Sequence, residues 1–98
     1  MTTQSDYIGL PLRAQETVSD AAPRVVDLSR QLPPIKVAIA HGAGNVERVE
    51  TLEAGEWIPW ALGDITAASA LDVLLRRVAA IRFTRVSGSS PFSYEVMV

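Results

Sequence analysis

Few residues in this chain could do chemistry. His41 is the single histidine, and it closes an alternating stretch directly before Gly42. A general base there would need a hydroxyl, thiol or carboxylate partner at a motif spacing, and none accompanies it. An enzyme pairing His41 with a carboxylate is therefore the last-ranked reading. Gly42-Ala43-Gly44 is a fragment of a glycine-rich phosphate loop. Such a loop ends in Gly-Lys-Ser/Thr and runs into a helix; here Asn45 and a β pattern follow, so the segment reads as a turn. Glu47, Glu50, Glu53 and Glu56 recur every third residue. They would share a face on a helix but scatter on strands, so they read as a solvated rim and not as a calcium or acid–base site. Arg76, Arg77, Arg82 and Arg85 form the basic concentration of the chain. They read first as a solvated helix end and strand exterior, second as a protein contact. Nucleic acid comes third, because little aromatic interleaving accompanies them. Trp57 and Trp60 point to opposite faces if they lie on one strand. One then belongs to the core, and the other to a contact or, as a rival, a sugar-stacking platform. With no cysteine, a disulfide framework and a thiolate metal site are excluded. No catalytic residue, metal ligand or cofactor is expected.

The chain has 98 residues, which allows one domain with one modest core. Its hydrophobic fraction of 48% is that of a globular protein. The net charge of −2 argues against a general nucleic-acid binder, which needs clustered cations to release counterions. No run reaches the roughly 20 apolar residues that span a bilayer. Met1-Thr2-Thr3-Gln4-Ser5-Asp6 has neither the basic start nor the apolar stretch of a signal peptide, so synthesis and folding in the cytoplasm are expected.

The elements that would position these residues divide near Pro33-Pro34. Residues 1–34 read as an extended arm, because Pro11 and Pro23 interrupt regular pairing and the apolar residues show no sustained period. Tyr7, Ile8, Leu10, Leu12, Val25, Val26 and Leu28 on that arm gain by burial, so the arm is expected to lie on its own domain or a neighbour. Residues 35–98 read as a β-sandwich domain. Ile35, Val37 and Ile39 alternate in a first strand, and 46–52 make a second, forming the best hairpin across Gly42–Asn45. Trp57 to Leu62 is a third strand that Pro59 demotes to an edge or a bulge. Leu71, Leu74, Leu75 and Val78 fall at i, i+3, i+4 and i+7, which predicts a helix over 66–77. Ala79–Thr84 and Phe92–Val98 alternate as two closing strands around the turn at Ser87–Pro91. The expected fold is mainly β: a small antiparallel β-sandwich or partial barrel with one short helix and an extended N-terminal arm.

Two segments carry a resemblance. Leu52-Glu53-Ala54-Gly55-Glu56-Trp57-Ile58-Pro59 resembles the turn and strand of small β-sandwich structural proteins of tailed phages and phage-like particles. Ala80-Ile81-Arg82-Phe83-Thr84-Arg85-Val86-Ser87-Gly88, with the final strand, is similar to their closing hairpin. The likeness covers residues 46–98, and the helix-like insert departs from it. It implies a non-enzymatic virion component, in head decoration, tail or spike base, that binds other virion proteins. The expected partners are capsid or tail subunits and copies of the chain itself, with a trimer the preferred closed state. Tyr7, Ile8, Leu10, Leu12, Val25, Val26, Leu28, Trp57, Trp60, Arg82 and Arg85 are the expected contact residues. A small ligand- or glycan-binding β module is the alternative, and neither nucleic acid nor membrane is expected as a partner.

Overall fold

The computed structural model describes residues 11–66 and 69–98. Eight strands follow one another: β1 Arg13–Val18, β2 Arg24–Asp27, β3 Ile35–Ala40, β4 Val46–Glu53, β5 Glu56–Ile65, β6 Ala70–Leu74, β7 Ala80–Ser87 and β8 Phe92–Met97. They form two four-stranded sheets, sheet A in the order β1-β8-β3-β6 and sheet B in the order β2-β7-β4-β5. All pairings are antiparallel. Every connection except β4–β5 passes from one sheet to the other. Two such interleaved sheets make an eight-stranded jelly roll, one way in which all-β chains limit their exposed edges. The mainly β, sandwich-like expectation therefore holds.

The core lies between the sheets because inward positions alternate with outward ones along each strand. β3 turns Ile35, Val37 and Ile39 inward, and β8 turns Phe92, Tyr94 and Val96 inward to meet them. Phe83 of β7 stacks on Tyr94 across the sandwich, ring centroids 4.3 Å apart and planes 13° from parallel. That offset aromatic contact joins the middle strands of the two sheets.

Three expectations are corrected. The helix over 66–77 is not formed: among the described residues there is no helix, and Ala70–Leu74 is a strand paired with β3, Leu74 opposite Ile35. The leucine spacing was a coincidence of two uses. Leu74 and Val78 enter the core, whereas Leu71 and Leu75 stay outside it. Pairing with a distant strand overrides a local helical pattern. Residues 11–34 are likewise not an arm. β1 and β2 are edge strands of the two sheets, and Val18, Val26 and Leu28 are core residues. Their alternation was masked because inward positions are filled by Ala14, Glu16 and Arg24. Residues 1–10 lie outside the described residues. Thirdly, β3 and β4 are not a hairpin; they sit in different sheets, and so do β7 and β8. The hairpin that does form is β4–β5, closed by Ala54 at φ 53° and Gly55 at φ 79°. Two positive φ values make the two-residue turn that matches strand twist. Pro59 behaves as expected, since β5 is the edge of sheet B and its ladder with β4 is irregular between Arg48 and Glu50.

Candidate functional site

His41 does meet a carboxylate. β4 turns Glu47, Val49 and Thr51 inward, so Glu47 is fully buried at 0% exposure beneath the β3–β4 crossing. Its Oε1 lies 2.6 Å from His41 Nδ1, and its Oε2 accepts the Gly42 N–H at 3.2 Å. The rim expected of the four glutamates is therefore wrong for Glu47. Only 9% of the His41 side chain reaches solvent. Next to this pair Asn45 Oδ1 accepts the Ser90 N–H at 3.1 Å, and Asn45 Nδ2 donates to the Ser90 carbonyl at 2.6 Å. A β-carbon on Gly42 or Gly88 would collide with the Asn45 side chain. The network ties the β3–β4 crossing to the β7–β8 crossing. It is a polar lock, because both Glu47 oxygens and both amide atoms of Asn45 spend hydrogen bonds on neighbours. Among the described residues no three His, Cys, Asp or Glu side chains gather as metal ligands.

The basic concentration is consumed in pairs. Arg76 binds Glu53 through two 2.8 Å hydrogen bonds, and Arg82 binds Glu50 at 2.8 Å. The Arg76 guanidinium, helped by the Thr51 hydroxyl, holds the Glu53 carboxyl down at about 2. Arg85 and Arg77 donate to backbone carbonyls, those of Ser90 and Ser29. Arg82 also covers the Trp57 ring at 4.3 Å, a cation–π contact that occupies one face of the indole. Trp60 is buried. The opposite-face expectation for the two tryptophans holds, but Trp60 is not available to a partner.

The edge strands are guarded. On β1 and β2 the inward positions Glu16 and Arg24 pair across the side of the sandwich at 2.9 Å, and Tyr94 donates its hydroxyl to Glu16 at 3.0 Å. Arg24, then the Tyr94 hydroxyl, holds the Glu16 carboxyl below the usual range. Desolvation, then the Glu16 carboxylate, pushes Tyr94 up to about 12. β5 carries Pro59, and β6 carries an inward-facing Asp72 whose Oδ1 accepts the Val73 N–H at 2.8 Å. Inward charges and prolines on edges oppose strand-to-strand association.

One corner of the outer face of sheet A gathers three of the exposed large apolar side chains among the described residues. Near β1 that face is polar, with Arg13 on Glu95 at 2.8 Å and Thr17 on Ser93 at 3.0 Å. Towards β6 it becomes apolar. Leu71 is 65% exposed, Val73 42% and Leu75 80%. The register sets Met97, Lys36 and Val73 side by side across β8, β3 and β6, with Ala38 beside Leu71 in a neighbouring row. Pro34, Lys36, Val73, Met97 and Val98 line an open groove of about 390 Å³.

Of the expected contact residues, Tyr7, Ile8 and Leu10 lie outside the described residues. Leu12 packs partly against the core, Val26 and Leu28 are within it, and Val25 stands out from β2. Val25 and Arg82 are opposite each other on sheet B, and Arg85 sits at the polar lock. Val25, Arg82 and Trp57 adjoin on the outer face of sheet B, and Trp60, Val26 and Leu28 are buried away from that surface. Leu71 and Leu75 share a helical spacing with Leu74 and Val78, which hides this corner of sheet A in the sequence. The available signal was β-type alternation of Leu71 and Val73 about Asp72.

No family model and no curated protein matches the chain. Among solved structures it is similar to a de novo designed double-stranded β-helix, with 17% identity and a TM-score of 0.48 over 87% of this chain and 95% of that one. It is also similar to a structure of Bacillus endospore appendages, described as forming disulfide-linked pili, with 15% identity and a TM-score of 0.47 over 89% and 82%.

Proposed function

We propose that this chain is a non-enzymatic structural subunit that binds its neighbours, copies of itself first, through the apolar corner of sheet A. The resemblance of residues 46–98 to small phage β-sandwich proteins makes a virion the setting, as a capsid-decoration or tail-associated component. One observation carries the reading: Leu71, Val73 and Leu75 stand exposed along β6 and directly after it, and Val73 lines an open groove with Pro34, Met97 and Val98. Single exposed leucines are ordinary, but contiguous apolar patches mark contact surfaces. The guarded edges support face-on docking over strand addition, since edge pairing would have to displace Asp72 and Pro59. The second copy is favoured as occupant because the corner is apolar around one cation, Lys36, which suits a partner surface with few charges. Light scattering on the full chain over a range of concentrations tests this. A closed oligomer, a trimer by preference, is the expected result; a monomer at every concentration contradicts it.

A further inference from the structure

We infer that the groove of sheet A is covered by the β5 edge of a second copy, with Ile58 against Val73 and Met97 and the Glu56 carboxylate on the Lys36 ammonium. This rests on the self-association proposed above and names the surface of the second copy that fills the groove. Charge points to it first. Among the described residues Lys36 and Glu56 are the two charged side chains without a partner; every other Arg, Asp and Glu is engaged with a group of its own chain. One is a cation, the other a carboxylate, and both are exposed. Each also stands among exposed apolar groups. Lys36 lies between Val73 and Met97 in the register of sheet A. Glu56 shares a face of β5 with Ile58. Ile58 is on the inward side, opposite the buried Thr51, yet it is 39% exposed, so the sandwich is open at this edge. Apolar patches around opposite charges are complementary surfaces.

Position supports the same assignment. β6 is an edge of sheet A and β5 an edge of sheet B, and the other two edges, β1 and β2, are joined by Glu16 and Arg24 on the opposite flank. Arg76, one residue past Leu75, bonds Glu53 twice at 2.8 Å, and Glu53 is the strand partner of Glu56. The β6 corner and the β4–β5 turn are therefore neighbours on one flank. Lys36 and Glu56 do not pair within the chain, so both are available to a second copy. In a closed assembly each copy then gives one β5 edge and receives one. The contact is made by side chains, because Pro59 lacks the N–H that a ladder along this edge would use. The apolar groups supply most of the attraction. The ion pair sets the register, since an exposed pair contributes little by itself.

Charge reversal in the full chain tests this, with dissociation constants read from sedimentation. Lys36→Glu and Glu56→Lys change exposed side chains, so the fold is kept. Each should weaken association several-fold, because each sets like charges face to face. A chain carrying both reversals re-forms the pair in the opposite sense. It should associate more tightly than either single variant, close to the parent. A double variant that does not exceed both singles overturns the inference. If neither single reversal is felt, Ile58→Asp decides: loss of association upholds the β5 edge, and parental association overturns it. The unmodified chain and Val73→Asp are sedimented in parallel. If the chain associates and Val73→Asp breaks the association while these tests fail, the β5 edge is wrong and the corner of sheet A stands. If the unmodified chain is monomeric at every concentration, both fail.

Discussion

Glu47 is a carboxylate with no access to water, and its two oxygens are served by His41 and the Gly42 N–H. Removing one partner of such a pair leaves a buried group that nothing else can satisfy. His41→Ala should therefore cost about 3–5 kcal/mol of stability, read as a lower urea midpoint. Replacing both residues by leucine should recover much of that loss, because an apolar pair needs no solvation. A structural lock predicts this recovery; a catalytic pair does not require it. Tyr94 offers a second residue-scale check. Burial, then the Glu16 carboxylate, raises it from near 10 to about 12, which favours the neutral phenol in the folded chain. Its contribution to stability is complete below pH 10 and is lost as pH climbs from about 10 to 12. In a Tyr7→Phe chain the one remaining tyrosine should ionise late by ultraviolet difference absorbance, with unfolding close behind. Ionisation near 10 in the folded chain would contradict the burial argument. None of this was visible from residue type, since Glu47 looks like its three neighbours at the same spacing.

At the scale of elements, legibility followed the inward side chains. β3, β7 and β8 could be read because Ile35, Val37, Phe83, Phe92 and Val96 occupy their inward positions. β1 and β2 could not, because Glu16 and Arg24 hold inward positions on edge strands and pair with each other. β6 was hidden by leucines that mimic a helix while two of them serve the outer surface. The guards make predictions of their own. Asp72→Val removes the inward charge and frees the Val73 N–H, so turbidity and dye-binding assays should register faster aggregation than the parent chain shows. Unchanged aggregation would mean that the edge is protected by something else. The β4–β5 turn holds Ala54 at positive φ, where a β-carbon is unwelcome. Ala54→Asn suits that place and should gain up to about 1 kcal/mol in urea denaturation.

Seen whole, the molecule is a sandwich whose chain changes sheet at nearly every connection. That property could not be read locally. The Gly42–Asn45 segment has the residues of a hairpin turn, yet Asn45 ties it to Ser90 in the other crossing, and the strands on either side belong to different sheets. The contact-site reading was legible only in kind. Exposed apolar residues were expected on residues 1–34 and one tryptophan; the structure exposes Val25 and Leu32 there, and adds Leu71, Val73 and Leu75 at the β6 side of sheet A. On the proposed function this corner, and not exposed apolar surface in general, joins copies of the chain. Sedimentation of Val73→Asp beside Val25→Asp tests it most directly, since both valines are exposed but Val25 lies on sheet B. Val73→Asp should shift the assembly to monomers while Val25→Asp sediments as the parent does. Equal behaviour of the two variants would contradict it.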